Sequence, residues 1–358
     1  MSNSGAKMLT ECIKKVATGY EFSRALTRAE ARDAMAFILD GDADDVQAAV
    51  FLIALRMKRE TMAENLGLQD AIVSRLSTAQ VELPILLALS DPYDGLLRSV
   101  PVSTFLPATL AACGLPSFSH GVYDIGPKFG VTHGQVLSAL GYNSDADPAA
   151  LAELLRAQDV GWAFVNMDNA YPEWANLKNL RNRMIKRTAL ATLERTHRPF
   201  QASGKTILLT GHVHSAYPSI YLELARNAGY DSAATYKGYE GGVIPALHQS
   251  INFHNYIDGG DDLMRTLEPD EMQISGMLEK APDDKQSVQA LIASSMEALA
   301  GQKNAAYNSL VLSGSLALLA SGLETSTKKA AQRVRQGIDS GAARAHFERG
   351  LERNHVAV

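Results

Sequence analysis

Hydrophobic residues recur at helical intervals in the first quarter of the chain. "TRAEARDAMAFIL" begins with Thr27 and carries Glu30 three residues on. That spacing predicts a capping box, in which the threonine hydroxyl and the glutamate carboxylate satisfy each other's backbone N–H groups at a helix start. "DVQAAVFLIALRMK" places Val46, Ala49, Val50, Ile53, Ala54 and Met57 along one helical face, with Asp44 as the cap and Gln47 in the reciprocal position. "TMAENLGLQDAIVSRL" repeats the device with Thr61 and Glu64. Three short helices of this kind predict a small helical unit bounded near Val81.

Beyond Val81 the pattern changes. "VELPILLAL" is a continuous apolar run of buried-strand type, "STFLPATLAACG" is a helix ending at Gly114, and "LPSFSHG" is a strand. The helix "HGQVLSALG", the strands "VGWAFVN" and "KTILLTGHVH", the helix "YPSIYLELARNAG" and the strand "SAATYKG" follow. Strand and helix alternate, so the fold class is α/β, with a parallel sheet, joined to a small all-helical domain. "NLKNLRNRMIKRTALATL" reads as helical and unusually basic, and from "KQSVQALIASSMEALAG" onward the chain reads as helical to its end. The stretch 251–271, "INFHNYIDGGDDLMRTLEPDE", is assigned to no element.

Composition narrows the class. The 358 residues are 46% hydrophobic and 20% charged, ordinary for a globular protein with a sizeable core. A net charge of -5 gives no general pull toward nucleic acid. Cys12 and Cys113 lie in apolar surroundings without metal spacing and read as reduced core thiols. "MSNSGAKMLT" lacks the apolar run of a signal peptide and no stretch reaches the length of a membrane span, so the expectation is a cytoplasmic protein with no membrane partner.

Four polar clusters fall at predicted strand ends, where α/β proteins bind ligands. In "SDPYDGLLRSVPVST", Gly95 lets backbone N–H groups approach an anion, and Ser103 and Thr104 open the next helix, where free N–H groups suit phosphate. A turn followed by a helix cap fits the same letters. In "SHGVYDIGPKFGVTH", Lys128 stands between two glycines as an anion clamp or as a plain exposed lysine, and His133 starts a helix. In "TGHVHSAYP", His212 and His214 would share one face of a strand, as a metal pair or as the polar lining of a ligand mouth. In "YKGYEGGVIP", Glu240 follows Lys237 on a glycine-rich turn, placed to hold Mg²⁺ that also touches phosphate, or simply facing solvent.

Taken in order, these clusters resemble the anthranilate phosphoribosyltransferase and pyrimidine-nucleoside phosphorylase superfamily, of the glycosyltransferase family 3 type, over nearly the whole chain. The likeness is densest in "LTRAEARDAMAFILDGDADDVQAAVFLIALRMKRET" and returns in "NSLVLSGSLALLASG" and "AAQRVRQGIDSGAARAHFERGLE". It implies a helical dimerisation domain over 1–80, joined in space by part of 170–200, a large α/β domain over 81–358, and a homodimer. The family's Gly-Thr-Gly-Gly-Asp loop falls on "DPYDG", keeping Asp94 and Gly95. Its Asn-x-Ser-Thr motif falls on "PVST", with Pro101 for the asparagine but Ser103 and Thr104 kept. Lys-His-Gly-Asn falls on "SHGV", leaving His120 and Gly121 between Ser119 and Val122. Ser-Lys-x-Gly falls on "PKFG", retaining Lys128 and Gly130, similar to the loop that clamps the sugar pyrophosphate. The metal-binding Asp-Glu pair falls on "YE", so Glu240 remains, with Ser103 as the other implied metal contact. The arginine that faces anthranilate corresponds to Arg181.

The departures have a magnitude. Each hydrogen bond to a charged group contributes about 1.5–3 kcal/mol, so losing the lysine, the asparagine and one acid removes roughly 4 kcal/mol or more. That is about a thousandfold in affinity. The resemblance therefore implies a divergent branch: a transferase acting at ribose C1, with Mg²⁺, a phosphorylated ligand such as phosphoribosyl pyrophosphate, and an acceptor other than anthranilate. Lys128 and Glu240 would carry catalysis. The other ligand contacts would be Asp94, Gly95, Ser103, Thr104, His120, Gly121, Gly130, Arg181, His212, His214 and Lys237. The alternative is a non-catalytic protein on the same fold that binds a ligand or nucleic acid, the latter through the basic residues Lys178, Arg181, Arg183, Lys186 and Arg187 and the tail residues Lys328, Lys329, Arg333 and Arg335.

Overall fold

The computed structural model describes residues 3–19, 21–98, 101–274 and 288–356. Four helices open it: α1 (Asn3–Val16), α2 (Arg28–Leu39), α3 (Asp45–Lys58) and α4 (Met62–Val73). Both capping boxes form: Thr27 accepts from the Glu30 N–H and Thr61 from the Glu64 N–H, with each glutamate reaching back. Asp44 caps α3 by accepting from Val46 and Gln47. Caps of this kind contribute about 1 kcal/mol each. Helix α1, which the hydrophobic pattern did not predict, buries Leu9, Cys12 and Val16. On α3 the buried residues are Ala48, Phe51, Leu52 and Leu55, whereas Val46, Val50 and Met57 are exposed.

Among the described residues, the larger part is built on nine strands and twelve α-helices. The strands are β1 (Ala79–Val81), β2 (Ile85–Ser90), β3 (Ser117–Gly121), β4 (Trp162–Asn166), β5 (Phe200–Ala202), β6 (Lys205–His212), β7 (Ser232–Lys237), β8 (Ile251–Tyr256) and β9 (Leu263–Leu267). Between them run α5 (Leu106–Ala112), α6 (His133–Ala139), α7 (Pro148–Arg156), α8 (Met167–Ala170), α9 (Pro172–Ala175), α10 (Lys178–Met184), α11 (Leu190–Leu193) and α12 (Pro218–Asn227). The chain closes with α13 (Val288–Leu299), α14 (Ala305–Ala320), α15 (Thr327–Asp339) and α16 (Ala342–Val356). The first residues of the "KQSVQALIASSMEALAG" helix lie outside the described residues.

Seven strands form one sheet in the order β4-β3-β2-β6-β7-β8-β9, and β1 pairs with β5 in a second, two-stranded sheet. Strand β2 is buried on both faces, as an apolar run without alternation requires. Helix α14 is buried almost all round, which is why its sequence is apolar on every side. The expectation of a parallel sheet needs correction at one edge. Strands β2, β3, β4, β6 and β7 are parallel, but β8 and β9 form an antiparallel hairpin built from the unassigned stretch 251–271. The chain runs outward from β2 in one direction through β3 and β4, and in the other through β6 and β7. The carboxyl ends of β2 and β6 therefore face a topological switch point, where α/β folds leave a crevice.

Candidate functional site

Two loops meet above that switch point. The loop after β2 and the loop after β3 are joined by Leu96 and Val131, each donating its N–H to the other's carbonyl (2.9 and 2.8 Å), and by the Gly130 N–H donating to the Asp94 carbonyl (2.8 Å). The glycines permit this crossing. Gly95 has φ +74°, and a Cβ there would stand 2.4 Å from the Gly130 carbonyl, while one on Gly130 would stand 2.6 Å from the Leu96 nitrogen. The second loop is also tied to α10, through the Gly126 N–H to Asn182 (2.7 Å) and Lys178 to Asp124 (2.7 Å).

The loop crossing presents a set of donors, and a carboxylate fills it. Glu240 Oε1 accepts from the N–H groups of Leu97 (2.9 Å) and Arg98 (2.6 Å), and Oε2 accepts from Lys128 Nζ (2.7 Å). Lys128 and Glu240 are thus bound to each other, their side chains only 15% and 14% exposed. Burial alone would raise the Glu240 carboxyl, but the hydrogen bonds from Lys128 and the Arg98 N–H, with the lysine's charge, hold it below the ordinary range. Burial dominates at Lys128 and lowers its ammonium despite the Glu240 contact. Glu240 has φ 50° and ψ 18°, a left-handed conformation costing roughly 1–2 kcal/mol without glycine. Three donors hold it there.

Beneath the loops, Asp91 organises a buried polar cluster. Its Oδ2 accepts from Ser103 (2.5 Å) and lies 3.0 Å from His133 Nε2, and its Oδ1 accepts from the Val243 N–H (2.8 Å). Burial would raise Asp91, yet the His133 hydrogen bond and charge, with Ser103 and the Arg195 charge, bring it down to about 2. Arg195 is buried and donates to the Ser90 and Gly241 carbonyls and to Thr210 Oγ1, joining the ends of β2 and β6 to the Glu240 turn. Arg187 makes a two-pronged contact with Asp94 (2.7 Å twice). Arg181 is 5% exposed and paired at 2.5 Å with Glu194, itself 1% exposed and raised by burial.

The cleft between the switch point and the helical unit has a volume near 140 Å³. Asp94, Arg187, Glu194, Arg195, His212 and Glu240 line it, and Arg56 reaches it from α3. Several expected contacts do not. Ser103 and Thr104 form part of a 3-10 turn, Val102–Phe105, with both side chains buried, and Ser103 is committed to Asp91. His120 is buried with Nδ1 2.6 Å from the Tyr93 hydroxyl, and burial takes it down to about 3, so it brings no charge at neutral pH. Gly121 ends β3 inside the fold, Arg181 turns into its pair with Glu194, and Lys237 is exposed at the end of β7. His212 and His214 do not share a strand face, because β6 ends at His212. His212 binds Thr235 (3.0 Å) and is lowered to about 4 by burial and by His254, whereas His214 lies beyond the strand against Tyr217; both nevertheless line the cleft, as the polar-lining expectation had it.

The basic stretch is not one helix. Ile185, at φ 61°, ends α10 in a left-handed turn, and Leu190 begins α11. Lys178, Arg181, Arg183 and Arg187 each pair with an acid. In the tail, Arg333 binds Glu324 and the Cys113 carbonyl, and Arg335 binds the carbonyls of Met272 and Gln273. Most of the charge proposed for nucleic acid is therefore spent within the molecule.

Residues 10–75 match the family described as "Glycosyl transferase family, helical bundle domain". Anthranilate phosphoribosyltransferase of Methylobacterium radiotolerans is 29% identical over 344 residues, covering 94% of each chain, and that of Anaeromyxobacter is 25% identical over 94% of this chain and 96% of its own. The fold agrees. The Thermus thermophilus enzyme superposes with a TM-score of 0.74 at 19% identity, over 97% of this chain and 99% of its own. The Saccharomyces cerevisiae enzyme, solved with PRPP and Mg, gives 0.79 at 16% identity, over 98% of both chains. The chain is thus similar to anthranilate phosphoribosyltransferases over nearly its whole length and shares their fold.

The yeast structure carries Mg, which brings Mg²⁺ into question for this site, and the donor set answers it. Both Glu240 oxygens face N–H or ammonium donors, so a cation beside them would meet an ammonium and two partial positive charges. Ser103 gives its proton to Asp91. Asp94 is held by Arg187, and no group of three or more His, Cys, Asp or Glu side chains stands ready for a metal among the described residues. As arranged, Glu240 and Ser103 do not fit Mg²⁺. The sequence reading also passed over Asp91, Glu194 and Arg195. Their signals were present: an aspartate directly after the buried strand run "ILLALS", and an adjacent acid and base in "ALATLERT", whose other residues carry no charge.

Proposed function

We propose that the chain is a pentosyl transferase whose donor is a ribose bearing a phosphate or pyrophosphate at C1, and whose acceptor is not anthranilate. The observation behind this reading is that Lys128 Nζ and the Leu97 and Arg98 N–H groups gather around the two oxygens of one carboxylate at the carboxyl edge of the sheet, the N–H groups on Oε1 and the ammonium on Oε2. In the reaction, a lone pair of the acceptor forms the new bond to C1 while the C1–O bond breaks and its electron pair leaves with the phosphate group. The acceptor's proton is released to water. The transition state is oxocarbenium-like, and stabilising the leaving oxyanion is the main task, which falls to the lysine and the two N–H groups. Rejection of anthranilate follows from Arg181: its charge is already neutralised by Glu194, so a benzoate carboxylate meets no free cation there. The exposed Val46, Val50 and Met57 on α3 support a homodimer through the helical unit.

Calorimetry with phosphoribosyl pyrophosphate tests the donor. The parent should bind it, Lys128→Ala should bind at least about tenfold more weakly, as loss of one charge-assisted hydrogen bond requires, and anthranilate should not alter either titration. Pyrophosphate release across a panel of aromatic amines and nucleobases then finds the acceptor. Binding unaffected by Lys128→Ala would refute the reading.

A further inference from the structure

Glu240 occupies a position made for an anion. Two backbone N–H groups bind one oxygen of its carboxylate and one ammonium binds the other, a set of donors that two oxygens of a phosphate group can accept equally well. Glu240 also lines the cleft, so a ligand arriving there meets this carboxylate before it meets Lys128. The backbone at Glu240 is left-handed, which a glutamate adopts only where contacts enforce it. The neighbouring acids are not available as companions for a metal: Asp94 is gripped by Arg187, and Asp91 by Ser103, His133 and the Val243 N–H.

We propose that Glu240 is an internal counter-anion rather than a metal ligand: a phosphate-class oxyanion enters the cradle by displacing the Glu240 carboxylate from Lys128, Leu97 and Arg98, and needs no divalent metal to do so. This rests on the donor reading above. Its consequence is opposite to that of a metal site. Removing the charge of a metal ligand weakens the ligand's binding, whereas removing the charge of a competing internal anion strengthens it.

The experiment is calorimetric titration of inorganic pyrophosphate into the parent, Glu240→Gln and Glu240→Gln with Lys128→Ala, each in EDTA and again in Mg²⁺. In EDTA, Glu240→Gln should bind at least about tenfold tighter than the parent, since one charge-assisted hydrogen bond no longer has to be broken. Adding Lys128→Ala should cancel that gain. A second readout needs no ligand: amide exchange at Leu97 and Arg98 should be about tenfold faster in Glu240→Ala than in the parent, as loss of their acceptor implies. Parent binding that requires Mg²⁺ and disappears in Glu240→Gln would overturn the inference and leave the donor reading standing. Unchanged amide exchange would overturn it too. Pyrophosphate that binds none of the proteins, with or without Mg²⁺, would overturn both.

Discussion

Replacing Arg181 with methionine should expose how much of this molecule rests on one buried pair. Arg181 and Glu194 are 5% and 1% exposed, with 2.5 Å between guanidinium nitrogen and carboxylate oxygen, so neither charge is solvated by bulk water. Methionine fills much of the arginine's volume but leaves Glu194 buried without its cation. Breaking a buried pair from one side costs about 3–5 kcal/mol. Urea unfolding at pH 8 should show a loss of that size. The loss should shrink in acid. Burial already raises the Glu194 carboxyl above its ordinary value against the pull of Arg181, and removing Arg181 raises it further. A carboxyl raised in the folded state binds its proton there before it does in the unfolded chain. Stability of the variant therefore falls as pH rises from the unfolded carboxyl value upward, and at pH 5 much of the loss should be recovered. Arg181→Met with Glu194→Leu should restore most of the stability at every pH, because a paired charge replaced on both sides by apolar groups leaves nothing unsatisfied. A loss below about 1 kcal/mol at pH 8, the scale of an exposed ion pair, or a double variant no better than the single one, would refute this reasoning.

Asp91→Asn should cost about 2–3 kcal/mol at pH 7 in the same assay, since the carboxyl is depressed to about 2 and a shift of that size is worth roughly this much. The sign follows from the depression: the parent's contribution is complete above the unfolded aspartate value and is lost as pH falls toward about 2, so parent and variant should converge in that window. For the assembly, Val50→Glu with Met57→Glu should convert a dimer into a monomer in light scattering at micromolar concentration, with unfolding midpoints unchanged after correction for dissociation. A parent that is already monomeric would count against the dimer.

The sequence by itself determined the local grammar of this protein. Thr27 with Glu30 and Thr61 with Glu64 made their capping boxes because both partners lie within one helical turn. The apolar runs at 85–89 and 207–209 became the middles of central strands because only burial on both faces accommodates them. The order of these elements placed the candidate cleft at the carboxyl ends of β2 and β6, and the motif resemblance reached Asp94 and Glu240, which line it. The direction and partner of each polar group were decided only in three dimensions. Nothing local tells Lys128 to bind Glu240, 112 residues away, or Arg181 to spend its charge on Glu194. His212 and His214 were separated by the end of a strand, which the spacing of two could not reveal. The hairpin of β8 and β9 was unreadable because β9 is mostly exposed and its sequence carries no buried face to give a period. Short-range hydrogen bonds and burial are written in neighbouring letters, whereas the pairing of charges depends on which loops the sheet brings together, and that is a property of the whole fold.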